Sequence, residues 1–130
     1  MDRIIFAGNS NLQELSWQFI RVLKYLKPAL DIYKTHSELD LFEMIVHKSA
    51  YLVALKESAG VLEIINYPKF KACRIWLAGG NMKELLSFYP KIQLFAKENN
   101  CKRMEIVGRK GWEKVHKDHD AISVVLTKEI

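Results

Sequence analysis

The sequence predicts one α/β domain, α+β in the sense that its sheet is mixed, and three features carry that reading. Apolar residues recur at helical spacing early in the chain. Short strand-like runs follow between tight turns, and a strand–helix–strand unit then occupies residues 70–107. Tight links imply antiparallel pairing for the first runs, whereas a helical crossover implies parallel pairing for the last. A chain of 130 residues has room for one core rather than two, so residues 1–130 are read as a single domain.

Each element has its own signal. Ser10 followed by Gln13 has capping-box spacing and places a helix start near Asn11. Leu12, Leu15, Phe19, Val22, Leu23, Leu26 and Leu30 then define a buried face. Pro28 lacks an amide proton and is expected to kink or interrupt that helix. Thr35 with Glu38 forms a second box, opening a helix to about Lys48 that buries Leu39, Phe42, Ile45 and Val46. Tyr51–Lys56 and Gly60–Asn66 read as a hairpin around Glu57-Ser58-Ala59, and Tyr67-Pro68-Lys69 turns the chain into Phe70–Leu77. After a Gly-Gly turn, Asn81 with Glu84 caps a helix whose buried face is Met82, Leu85, Leu86, Tyr89, Ile92 and Ala96. Pro90 predicts a kink there and Asn99-Asn100 a stop. Arg103–Val107 returns as a strand parallel to Phe70–Leu77, followed by a short helix around Trp112–Lys117 and a last strand, Ala121–Lys128.

Charge is unevenly distributed. Residues 1–68 carry 7 Lys/Arg against 8 Asp/Glu, and residues 69–130 carry 13 against 7, so the whole net charge of +5 comes from the second half. A local positive field suits an anionic small molecule or an acidic protein surface. No sequence-specific nucleic-acid motif accompanies it, which makes that kind of partner unexpected. No apolar run approaches the roughly 18 residues that span a bilayer, and the start MDRIIFAGNS is a poor signal peptide, so no membrane partner is expected. Cys73 and Cys101 lie far apart without ligand neighbours and read as reduced structural residues. The four histidines are too scattered for a metal site, and none is expected.

The crossover is the natural place for a ligand, because both its strands end at one sheet edge and the helix N-terminus suits an anion. Gly60-Val61-Leu62-Glu63-Ile64, Tyr67-Pro68, Arg74-Ile75-Trp76-Leu77-Ala78-Gly79-Gly80, Asn100-Cys101 and the run from Glu105 through Gly108-Arg109-Lys110-Gly111-Trp112 to Val115 occur in this order of elements. Together they resemble the GNAT superfamily of N-acetyltransferases. More narrowly, they are similar to phage-encoded GNAT-like proteins, some counterparts of which are internal virion proteins of short-tailed phages. The resemblance implies a GNAT-like acyltransferase fold with an acetyl-CoA cleft where the parallel strands part. It places the pyrophosphate on Leu77, Ala78, Gly79, Gly80, Asn81 and Met82. GNAT enzymes usually carry Gln/Arg-x-x-Gly-x-Gly/Ala at this place. Here the loop is shorter and lacks the Gln or Arg, so it offers fewer amides to phosphate and weak or no acetyl-CoA binding is expected.

The resemblance also implies a general acid on the short helix near the chain end, where His116 stands in the position usually held by Tyr. Glu63 and Glu105 are strand carboxylates that could serve as base or as ion-pair partner to Arg74. Arg74, Arg109 and Lys110 are the candidate contacts to an anionic partner, the last two flanked by glycines. Three functions stay open at this point. The leading one is a phage protein on the acetyltransferase scaffold with reduced or altered catalytic equipment, virion-associated or host-interacting, placed in the virion or the host cytoplasm. The others are an active acetyl-CoA-dependent N-acetyltransferase and a basic binding module for nucleic acid or an acidic protein.

Overall fold

In a computed structural model that describes residues 3–6, 8–108, 118–120, 122 and 126–130, five strands form one sheet in chain order. They are β1 (Arg3–Ile5), β2 (Tyr51–Ala54), β3 (Ser58–Asn66), β4 (Lys71–Gly80) and β5 (Cys101–Ile106). β1 to β4 pair antiparallel, and β5 lies parallel to β4 with Cys73 opposite Met104 and Arg74 opposite Glu105. The helices are α1 (Leu12–Tyr33), α2 (Glu38–Val46) and α3 (Met82–Glu98). This is the mixed α/β arrangement expected, with the crossover parallel.

Strand alternation gives the sheet two buried faces. Leu52, Ala54, Ala59, Val61 and Leu77 pack with Leu15, Phe19, Val22 and Leu26 of α1 and with Leu41 and Ile45 of α2. On the opposite face Val53, Leu55, Leu62, Cys73 and Ile75 pack with Phe88, Ile92 and Ala96 of α3. A bulge at Trp76 breaks the alternation, because Val61 opposes Leu77 while Leu62 opposes Ile75. Trp76 and Leu77 therefore both pack toward α1 and α2.

Several sequence expectations are corrected in detail. β1 was not anticipated; three residues are too few to show a period, and pairing with β2 makes the strand. The α1 cap is Asn11, whose side chain accepts from Glu14 N at 2.8 Å, and the α2 box is Ser37 with Asp40 rather than Thr35 with Glu38. The buried face of α2 runs through Leu41, Phe42 and Ile45, while Leu39 is exposed. Leu12 and Met82 are also exposed, while Phe88 takes a core position on α3. Neither proline interrupts its helix: α1 continues through Pro28 and α3 through Pro90. Core contacts of Leu26, Ala29 and Leu30 around the first, and of Phe88 and Ile92 around the second, outweigh the roughly 3 kcal/mol that an interior proline costs. The hairpin turn is Lys56-Glu57, since Leu55 N donates to Ser58 O at 3.0 Å. The helix around Trp112–Lys117 lies outside the described residues, as does most of the last strand; Leu126–Lys128 are irregular.

Candidate functional site: the strand–helix junction and the polar sheet face

β4 does not end before its glycines. Gly79 pairs with Ala59 and Gly80 with Ser58, so the expected Gly-Gly turn is the last part of the strand, and α3 begins after a single cap residue, Asn81. A Cβ on Gly79 would collide with the Tyr25 carbonyl of α1. Gly80 has φ of 104°, and a Cβ there would collide with the Glu57 carbonyl and come within 2.6 Å of Ser58 Cα. Both glycines are thus required by backbone packed against backbone. Two amides of the junction are engaged. Asn81 N donates to Glu57 O at 3.0 Å, and Glu84 N donates to Asn81 Oδ1 at 3.1 Å. The Glu84 carboxylate accepts from Glu57 N at 2.8 Å and from the Ser58 hydroxyl, and Glu57 Oε2 accepts from Asn81 Nδ2 at 3.4 Å. Leu77 is buried toward α1, Ala78 lies over Tyr89 and Ile92 on the other face, and Met82 is exposed. A diphosphate at Leu77–Met82 would meet the carboxylates of Glu57 and Glu84 and an Asn81 amide already bonded to Glu57 O, so these residues do not fit it.

Pairing register places Glu63, Arg74 and Glu105 in one row across β3, β4 and β5. Arg74 donates from Nε (3.2 Å) and Nη2 (3.0 Å) to Glu105 Oε1. The Tyr67 hydroxyl reaches both Glu105 oxygens at 3.0 and 2.9 Å. Burial opposes charge on Arg74, but the Glu105 hydrogen bond and charge outweigh it and raise the guanidinium pKa. Both Glu105 and Arg74 are therefore committed to each other. Glu63 is different. Its carboxyl makes no hydrogen bond or ion pair among the described residues, and burial raises its pKa from 4.5 against the opposing pull of Arg74 and His36. His36 stands edge-on to Trp76, ring centroids 4.8 Å apart, on this same face.

A raised acid pKa means that the folded chain binds the Glu63 proton more tightly than the unfolded chain. The stabilisation is present below about pH 4.5 and is lost as pH rises through the folded value. Glu63→Gln is accordingly expected to melt higher than the parent protein at pH 7 and to flatten the decline of melting temperature above pH 4.5. Melts from pH 4 to 7 check this; parallel curves for the two proteins would remove burial as the cause.

Beyond Ile75, whose carbonyl accepts from Val107 N at 2.9 Å, β4 runs on to Gly80 without β5. Beside Ala29, Tyr33, Trp76 and Gly108 lies a cavity of about 20 Å³, room for one water. His116, Arg109 and Lys110 lie outside the described residues. Sequence reasoning missed one constellation: Tyr89 on α3 meets His119 Nε2 at 2.6 Å, and His119 Nδ1 meets Asp118 Oδ1 at 2.7 Å. Burial pushes the Tyr89 phenol up to about 12, with Asp118 adding to the shift, so the hydroxyl keeps its proton at neutral pH. The adjacent His119 and Asp118 were visible in the sequence, but nothing local joined them to a helix thirty residues earlier. Cys73 and Cys101 are free thiols, Cys73 pushed up to about 12 by burial. Among the described residues no cluster of three metal-ligating side chains occurs, and no helix is long and apolar enough to cross a membrane.

Solved structures share this architecture over whole chains. A ribosomal-protein-alanine N-acetyltransferase from Brucella melitensis biovar Abortus 2308 aligns with 100% of this chain and 99% of its own, at a TM-score of 0.68 and 7% identity. An aminoglycoside acetyltransferase from an uncultured soil metagenomic sample covers 100% and 96%, with a TM-score of 0.64 and 5% identity. A GNAT family acetyltransferase from Staphylococcus aureus subsp. aureus USA300_TCH1516 covers 100% and 98%, with a TM-score of 0.57 and 15% identity. The fold is therefore that of the GNAT acyltransferases. No protein-family model matches the sequence, and none of the curated proteins does.

Proposed function

We propose that this chain uses the acetyltransferase scaffold for binding, with its catalytic equipment reduced. The observation that carries the reading is the junction at Gly79-Gly80-Asn81, where the chain's own backbone and carboxylates pack together at the residues to which the resemblance assigns the pyrophosphate. A fold by itself does not confer an activity, and the neighbours' activities belong to the neighbours. The partner proposed is anionic, an acidic protein surface or small molecule, met by the basic second half of the chain with Arg109 and Lys110 as its grips. A phage setting, in the virion or acting in the host cytoplasm, is supported by the sequence resemblance at Gly60–Ile64, Arg74–Gly80 and Glu105–Val115.

Calorimetric titration with acetyl-CoA tests the reading. The expected result is no saturable heat, or a Kd weaker than about 100 μM, equivalent to less than about 5.5 kcal/mol. Saturable micromolar binding would instead favour an active N-acetyltransferase. That second reading draws its support from the end of β5 at Ile106 while β4 runs on to Gly80, the region where the resemblance sets the cofactor.

A further inference from the structure

The tip of the β2–β3 hairpin is gripped from two helices. From α1, Arg21 donates to the carbonyl of Leu55 at 2.9 Å and to that of Lys56 at 3.3 Å. From α3, the Glu84 carboxylate takes the amide of Glu57 at 2.8 Å and the hydroxyl of Ser58, which is fully buried. Hydrogen bonds to an ionised acceptor are among the stronger ones, and a buried hydroxyl left without its acceptor is costly. The residues joined are more than twenty positions apart, so these contacts fix tertiary structure and not merely a turn.

A carboxylate and a phosphate ask for the same surroundings: N–H and O–H donors beside the positive end of a helix. We infer that Glu84 is the resident anion of the α3 N-terminus. It holds the donors of the hairpin tip that a phosphate oxygen would compete for, and it turns a seat for an external diphosphate into a fastening between hairpin and helix. Glu57, bonded through its own carboxylate to Asn81, adds a second negative charge to the same turn. Naming the displaced group a diphosphate rests on the functional reading above; the fastening stands on the contacts themselves.

Thermal melting with sodium pyrophosphate, against sodium chloride at matched ionic strength, tests this on the parent protein, Glu84→Gln and Glu84→Ala. The parent protein is expected to show no shift. Glu84→Ala is expected to melt lower than the parent and to regain about 3–5 °C with pyrophosphate at roughly ten times its Kd. Glu84→Gln keeps an acceptor without the charge and is expected to lose less and to regain part of the shift; it carries the comparison if the alanine variant does not fold. An equal shift in the parent protein would overturn the inference, because the seat would be open with Glu84 in place. So would the lack of any shift in either variant. Micromolar acetyl-CoA binding by the parent protein, unaffected by pyrophosphate, would refute the proposed function yet leave Glu84 as the resident anion.

Discussion

Gly79→Ala is expected to destabilise the protein by about 3 kcal/mol, a fall in melting temperature of roughly 10 °C for a domain of this size. The added methyl would run into the Tyr25 carbonyl. That oxygen belongs to the backbone of α1, between Val22 and Leu26, which are fully buried, so it cannot step aside as a side chain would. Relief requires sliding α1 off β4 and loosening the core contacts of Leu77 and Val61. Melting beside a control substitution at exposed Lys83 on α3 is the measurement. A Gly79→Ala protein that melts like its parent while losing acetyl-CoA affinity would show instead that the glycine lines a cofactor loop.

That same glycine marks where the sequence stopped being legible. A Gly-Gly pair before a capped helix reads as a turn, because glycine's backbone freedom is visible and the neighbour that requires a missing side chain is not. Tyr25 stands more than fifty residues earlier. The fold itself was legible for the opposite reason. The spacing of apolar residues over Leu85–Ala96, between apolar runs on either side, is local information, and a helical crossover between two strands converts it into a parallel pair. Caps were misplaced by one or two positions wherever neighbouring polar residues competed, as with Ser10 and Asn11 or Thr35 and Ser37. The hairpin tip shifted because Ser58, a turn former in isolation, is buried and bonded to Glu84.

The candidate site was legible as a set of residue types and not as a geometry. Glu63, Arg74 and Glu105 stood out as strand charges, but only the register shows that Arg74 lies between the two acids and sides with one of them. The bulge at Trp76, which turns two consecutive large side chains toward α1 and α2, has no sequence signal. Glu84 read as a cap residue. Its bonds to Glu57 and Ser58, across the whole of β3 and β4, depend on the tertiary fold.

Arg74→Met is expected to cost about 2 kcal/mol. The substitution keeps much of the aliphatic bulk and removes two hydrogen bonds to Glu105, whose side chain is only 18% exposed. Glu105 would retain the Tyr67 hydroxyl and a distant Arg103, 3.9 Å away, so its charge would be under-compensated but not abandoned. The estimate stays below the upper range for a fully buried pair because Arg74 itself is 31% exposed. Pairing Arg74→Met with Glu105→Gln in a double-mutant cycle, by urea denaturation, should return a coupling of about 1–2 kcal/mol, since the second change removes the charge that the first leaves exposed to poor solvation. Glu63 sharpens the test. Its carboxyl faces the same guanidinium without bonding to it, so Glu63→Gln should show far weaker coupling to Arg74. Strong coupling to Glu63 and none to Glu105 would mean that Arg74 swings between the two acids. A stability-neutral Arg74→Met that nevertheless abolished binding of an anionic partner would assign the guanidinium to a ligand site and not to the sheet.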